Sequence, residues 1–318
     1  MSSPRPRILI LGASGQLGRA LVNETAQQAI QARAMGREQI DFSKPESVRT
    51  QLAQYAEAFA PTHVINATAY TAVDRAELEP ELAMRVNAES VAELGHACGA
   101  LGLPLIHFST DYVFNGRLPL TEAYSPDHPT DPQSVYGSSK RAGEVALIAC
   151  SANVIVFRTS WVYAAHGSNF FQTMVSAAQK RDQLSVVNDQ FGAPTSAHWL
   201  ARQAIRVCAQ WQEGSIILHL TASGHTHWCD FARTLLGLAR QAHPNLPWRV
   251  TTDAQVQEVS TRQYEDTLRA AGFTDPIAPR PKNSRLDSSE TFERFRLEAS
   301  SWQMQLEEVV SLWSANRL

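Results

Sequence analysis

Tyr136 and Lys140 stand four positions apart in Val135-Tyr-Gly-Ser-Ser-Lys-Arg, downstream of Phe108-Ser-Thr-Asp-Tyr-Val. On a helix, positions i and i+4 share a face, so this spacing predicts the Lys140 ammonium beside the Tyr136 phenol. An unperturbed phenol titrates near ~10, and a neighbouring positive charge favours the phenolate. A tyrosine tuned in this way can act as an acid or base near neutral pH. Thr110 could give a second hydrogen bond to the reacting oxygen. Together these groups form the proton-handling set that a nicotinamide enzyme needs beside its hydride carrier. The plainer alternative is a tyrosine and a lysine on a solvated helix face.

A site for the carrier is legible further upstream. Gly12-Ala-Ser14-Gly15-Gln16-Leu17-Gly18 directly follows the apolar run Arg7–Leu11 and opens a helical pattern. Glycines there permit a tight turn and close approach of the backbone to a pyrophosphate, which the helix N-terminus then favours. After the second apolar run the chain reads Met35-Gly36-Arg37, with no immediate acid for a ribose 2′-hydroxyl. Arg37 could instead pair a 2′-phosphate, which points to NADPH, with NADH the alternative. Asp41 and Phe42 could flank the adenine. Ala67, Thr68 and Ala69, after the third run, would let the sugars and phosphates approach the backbone.

The elements that must position these residues alternate. Short apolar runs at Arg7–Leu11, Gln31–Met35, 63–67, 105–109 and 154–158 read as strands, covered on both faces. Helical patterns at 18–28, Pro45–Phe59, 81–101 and 136–150 lie between or beside them. This alternation predicts an α/β fold with a Rossmann-type, doubly wound parallel sheet. Beyond Tyr163 the pattern loosens into helices near 169–179, 199–212, 227–242 and 297–315. Residues 1–163 therefore read as the nucleotide-binding domain, with later segments returning to it, and 164–318 as mainly a substrate-binding region.

Composition excludes several classes. With 318 residues, 44% apolar content, 19% charged content and a net charge of −3, nothing electrostatic calls for nucleic acid or a membrane surface. Ile8–Leu11 is too short for a signal-peptide core or a bilayer span. The four scattered cysteines suit reduced thiols in the cytoplasm. His225-Thr-His227-Trp-Cys229 resembles a metal-ligand spacing, but it reads better as polar entry to a helix, so no metal is expected.

Further segments run in order along nearly the whole chain. They include Asn66-Ala-Thr-Ala-Tyr-Thr-Ala-Val-Asp74, Glu79-Pro-Glu81, Val86-Asn87 and Ser109-Thr-Asp-Tyr-Val-Phe114. Phe157-Arg-Thr-Ser-Trp-Val-Tyr163, Val187-Asn-Asp-Gln-Phe-Gly-Ala-Pro-Thr195 and Arg280-Pro-Lys-Asn-Ser-Arg285 complete the set. Together these motifs resemble the extended short-chain dehydrogenase/reductase superfamily and, within it, the dTDP-4-dehydrorhamnose reductase family. The resemblance implies reduction of the 4-keto group of a nucleotide-linked 6-deoxysugar. By matched position, Tyr136 would give the proton and Lys140 would hold the nicotinamide ribose. Thr110 would polarise the carbonyl, while Asp111 and Trp161 would contact the sugar. Asn188, Gln190, Arg280 and Asn283 would hold the rest of the substrate.

Some members of this family dimerise through magnesium held by acidic residues, at positions that here carry Arg19 and His198. The resemblance therefore implies a monomer or weak homodimer, since a cation ringed by arginine is unfavourable. Tyr112 stands where dehydratases of the superfamily place a glutamate, which argues against elimination. Remaining alternatives are another sugar-nucleotide epimerase or reductase, and a non-catalytic NADP-binding subunit like that of methionine adenosyltransferase.

Overall fold

The computed structural model describes residues 6–150, 153–211 and 213–315. In the first half β1 (Arg7–Leu11), α1 (Gln16–Gln27), β2 (Gln31–Met35), α2 (Pro45–Phe59) and β3 (His63–Asn66) alternate. They are followed by α3 (Ser90–Leu101), β4 (Leu105–Thr110), α4 (Val135–Ala149) and β5 (Val154–Thr159). The second half contributes α5 (Phe170–Ala178), β6 (Leu184–Val187), α6 (Ala197–Gln210), β7 (Ser215–His219) and α7 (Trp228–Ala242). It ends with β8 (Val256–Val259), α8 (Thr261–Ala270) and α9 (Trp302–Ala315).

Six strands form one sheet in the order β7-β5-β4-β3-β1-β2, every neighbouring pair parallel. Successive side chains on a strand point to opposite faces, and β1 shows the consequence. Ile8 and Ile10 enter a core shared with α1 and α6, while Leu9 and Leu11 enter another shared with α2 and α3. An apolar run without alternation is what two covered faces require. Strand order reverses between β1 and β3, so a crevice opens at their carboxyl ends, where such sheets bind ligands. The edge strand β7 comes from the second half of the chain, which thus completes the sheet. β6 and β8 form a separate parallel pair, and α5, α7 and α9 enclose the core beside it.

The helix expected over 81–101 is interrupted. A short helix at Pro80–Met84 passes through a π turn at Arg85–Glu89 before α3 begins. The turn places buried Asn87 so that its amide bonds both the N–H and the C=O of Tyr70 and the Ser139 hydroxyl. The last helix starts at Trp302 rather than 297. Phe295 and Leu297 belong to the sheet's core and Trp302 to the second core, so the chain must cross between them. The expected helix end at Gln212 and the leading residues 1–5 lie outside the described residues. Among those described, no helix is long and apolar enough to cross a membrane.

One buried ion pair fixes α4 against the sheet. Arg158 at the end of β5 grips Glu144 with Nε–Oε1 at 2.9 Å and Nη2–Oε2 at 2.8 Å, both side chains being nearly inaccessible. Removing one partner of such a pair strands a charge, at a cost of about 3–5 kcal/mol. Glu144→Ala should lower unfolding stability by that amount in urea titrations. A loss below about 1 kcal/mol would show that α4 is held mainly by its apolar contacts.

Candidate active site

At the carboxyl ends of the strands, the turn from β1 into α1 is built by contact. Gly12 adopts φ +78°, and a Cβ there would meet the backbone of Ala67 and Thr68 at 2.8–2.9 Å. A Cβ on Gly18 would lie 2.0 Å from the Gly12 carbonyl oxygen. Helix and loop therefore close together only with glycine at both places. Gly15 caps α1 without a side-chain bond, which leaves the first-turn N–H groups facing outward.

A cavity of about 290 Å³ opens above this turn. Gly12, Ser14, Gly15, Arg37, Asp41 and Phe42 line it, together with Ala67, Thr68 and Ala69. Free helix N–H groups over close-approach glycines fit the pyrophosphate of a dinucleotide. Arg37 is 77% exposed and pairs with Asp41 at 3.3 Å. Burial raises the Asp41 carboxyl, but bonds from Ser43 and the charges of Arg37 and Lys44 hold it below its ordinary value. An anion and a cation thus stand together in the lining of this cavity. Gln16, Leu17 and Gly18 do not line the cavity: Leu17 is in the core, and the Gln16 carbonyl meets the His166 ring.

The proton-handling residues adjoin a second cavity through Tyr112, which lines it and meets the Tyr136 ring. Ser134 caps α4 by accepting from the Gly137 N–H, which sets Tyr136 in the first turn. Tyr136 is half-buried, hydrogen-bonded to Thr110, with its ring edge-on to Tyr112 at 5.5 Å. Burial pushes its phenol well above the ordinary value. Thr110 opposes this, and the charge of Asp111 adds to it. Lys140 does not face the phenol as the spacing suggested. Its Nζ lies 2.7 Å from the Phe108 carbonyl and 3.1 Å from His107 Nε2, fully buried. Burial lowers the lysine to about 8, against an opposing effect of Glu144. The expectation of an acidified tyrosine does not hold for the chain by itself, because β4 takes the lysine's bonds.

The second cavity, about 320 Å³, is lined by Trp161, Gln190, Arg280, Tyr112, Trp228 and Tyr264 among others. Trp161 has φ +51° and stacks on Trp228 at 3.7 Å. A Cβ at Gly192 would strike its indole at 2.7 Å, so glycine there makes room for the ring. Gln190 accepts from the Trp228 indole and donates to Thr261. Arg280 pairs with Asp74 at 2.7 Å and donates to the Tyr112 hydroxyl. Asp111 is buried behind Ser284, with Oδ2 unpartnered.

Two expected substrate contacts point elsewhere. The Asn188 amide bonds Glu258. Asn283 is 1% exposed and donates to the carbonyls of Leu118, Pro119 and Glu122, which clamps that loop. Trp228, Asp74 and His107 were not singled out by sequence as site residues, although Trp228 lies in the segment weighed for a metal and Asp74 in a family motif. His227 caps α7 by accepting from the Asp230 N–H, the helix-entry role expected for it.

A glycine-lined crevice beside a Thr–Tyr–Lys group on a parallel sheet defines a dinucleotide-dependent oxidoreductase of the extended short-chain type. A family model described as the RmlD substrate binding domain matches residues 6–314. The dTDP-4-dehydrorhamnose reductase of Escherichia coli K12 is 40% identical over 93% of this chain and 94% of its own. The Bacillus anthracis reductase solved with NADP superposes with a TM-score of 0.83 at 29% identity, over 97% of this chain and 100% of the other. A Clostridium acetobutylicum reductase gives a TM-score of 0.81 at 31% identity, covering 96% and 99%. The chain belongs to the dTDP-4-dehydrorhamnose reductase family and is an oxidoreductase.

Asp111 carries a measurable signature of this site. Burial raises its carboxyl from 3.8 to about 6, with hydrogen bonds from Ser284 and Thr110 opposing. Between those values the folded chain holds a proton that the unfolded chain has released, so stability falls as pH rises through the window. Asp111→Asn removes this cost. The variant should be more stable than the parent by about 1–3 kcal/mol above pH 6, with the gain vanishing toward pH 4. Urea titrations at both ends of the window test this; a gain independent of pH would contradict it.

Proposed function

We propose that the chain reduces the 4-keto group of a nucleotide-activated 6-deoxysugar, converting dTDP-4-dehydro-L-rhamnose to dTDP-L-rhamnose, with Tyr136 giving the proton. The observation that carries this reading is the hydrogen-bonded pair of Thr110 and Tyr136, whose ring meets Tyr112 in the lining of the Trp161 cavity. NADPH, when bound, supplies the hydride. Gly12, Ser14, Gly15, Ala67, Thr68 and Ala69 would hold its phosphates and sugars, with Arg37 toward a 2′-phosphate and Asp41 and Phe42 toward the adenine. The fit of the first cavity and the NADP held by the Bacillus anthracis relative support that assignment.

A phenol held above its ordinary value is fully protonated at neutral pH, which is the form an acid must have before turnover. As negative charge develops on the sugar's O4, hydrogen bonds from Tyr136 and Thr110 strengthen, and the proton passes to that oxygen. Trp161 would pack on the sugar, and Gln190 and Arg280 would hold the nucleotide side. Because Asp74 already pairs Arg280, a diphosphate there shares the guanidinium with it.

In the same reading the enzyme works in the cytoplasm as a monomer or weak homodimer. Its four cysteines are free in the fold. At the positions of the magnesium-bridging acids, Arg19 is exposed, and burial lowers His198 to about 4, with His166 adding to the effect.

Tyr136→Phe should reduce kcat about 10²–10⁴-fold with a dTDP-4-keto sugar. NADPH affinity, followed by fluorescence titration, should stay within a few-fold of the parent. Turnover at the parent's rate would remove Tyr136 as the acid and leave the reductase reading without its proton source.

A further inference from the structure

Behind the catalytic helix, a chain of hydrogen bonds runs from the cofactor-facing loop to Lys140. The Thr68 backbone N–H donates to Asn66 Oδ1 at 3.0 Å, and the Thr68 hydroxyl donates to the same oxygen. Asn66 Nδ2 stands 3.0 Å from His107 Nδ1, and His107 Nε2 stands 3.1 Å from Lys140 Nζ. Lys140 in turn reaches the Phe108 carbonyl. Asn66, His107 and Lys140 are each at most 1% exposed, so water cannot relieve a mismatch.

The directions of these bonds are fixed from one end. A backbone N–H can only donate, so Oδ1 of Asn66 must face Thr68 and Nδ2 must face His107. Nδ2 also only donates, so His107 Nδ1 accepts. A neutral imidazole that accepts at Nδ1 carries its proton on Nε2, and that proton points at Lys140 Nζ. An ammonium has no lone pair to receive it; a neutral amine has one. Every donor then meets an acceptor, ending on the Phe108 carbonyl.

We propose that His107, oriented by Asn66 and the Thr68 backbone, is a positioning residue that directs its Nε2–H at Lys140 Nζ and so favours the neutral amine in the cofactor-free protein. Burial keeps the imidazole itself neutral, and burial of Lys140 likewise favours the uncharged lysine. Among the described residues, the carboxylate whose charge acts on Lys140 is Glu144, a turn further along α4, already engaged by Arg158 and Arg141. From its own helix, Tyr136 faces Thr110 and leaves the amine alone. One Nζ hydrogen remains free of the chain. The positive charge that would assist Tyr136 is then disfavoured in the resting state, because the lone pair of Nζ is taken by His107.

The consequence for catalysis rests on the reductase reading, but the proton assignment does not, so it is tested without cofactor or substrate. Two-bond ¹H–¹⁵N spectra of the imidazoles distinguish the two neutral tautomers, with His107 assigned by its loss in His107→Gln. Lysine labelled at Cε reports the amine, and the chain has only four lysines to resolve. The expected result is an Nε2–H tautomer for His107, and a Lys140 titration at least a hundredfold more acidic than that of an ordinary lysine. Asn66→Asp keeps the shape and still accepts from Thr68, but it also accepts from His107. It should move the His107 proton to Nδ1 and shift the Lys140 midpoint upward at least tenfold in proton affinity. Should Asn66→Asp fail to fold, the parent's tautomer decides alone. An Nδ1–H tautomer in the parent, or an unmoved His107 tautomer in a folded Asn66→Asp variant, would overturn the proposal whatever the enzyme's activity.

Discussion

Helix α4 carries two ionisable side chains into the interior one turn apart, and much of the fold is arranged to satisfy them. Glu144 is met by the guanidinium of Arg158, which also donates to the Pro126 carbonyl and lies over the Phe114 ring. Lys140 is met by the Phe108 carbonyl and the His107 ring, both on β4. An unmet charge at either place would cost more than one or two apolar contacts return. The consequence is positional: with those two bonds made, the start of α4 is fixed against β4, and Tyr136 can only face Thr110. The reacting geometry is thus set by buried polar bonds beneath it, while the cavity wall itself can vary.

This arrangement bears on how the phenol works. The spacing of Tyr136 and Lys140 suggested a tyrosine acidified by its neighbour. In the fold, burial raises the phenol, Asp111 adds to that effect, and the lysine faces β4 instead. For reduction this is no handicap. The acid must be protonated when hydride arrives, and the driving force for proton transfer comes from an oxygen that becomes strongly basic as its carbonyl is reduced. Charge near the phenol matters more for restoring its proton afterwards.

Much of this was legible in the sequence, for physical reasons that differ by residue. Ile8–Leu11 announced a covered strand because both faces of β1 are buried, and Gly12 to Gly18 announced a turn that no other residue permits. Bonds between distant segments were not legible. Asn283 looks like a ligand-facing amide in its motif, yet three loop carbonyls claim it. Asn188 likewise turns to Glu258 across the β6–β8 pair. Nothing local to 81–101 signals the π turn, whose cause is a contact between Asn87 and the distant residues Tyr70 and Ser139. α8 was missed for another reason: none of its residues is buried, so it has no apolar stripe facing a core to read.

The exposed state of α8 is itself informative about how the two cavities are coupled. Tyr264, Glu265 and Leu268 line the Trp161 cavity from a helix with no buried residue, so that wall is held by few contacts. Elements with little buried area open at the low end of a protein's stability range. The opposite wall, where Tyr112 meets Tyr136 and Arg280 meets Asp74, is tied by ring contact and by partly buried polar bonds. The Trp161 cavity is thus bounded on one side by tied side chains and on the other by a lightly held helix. Tied contacts constrain residue type and spacing together, whereas a lightly held wall constrains neither.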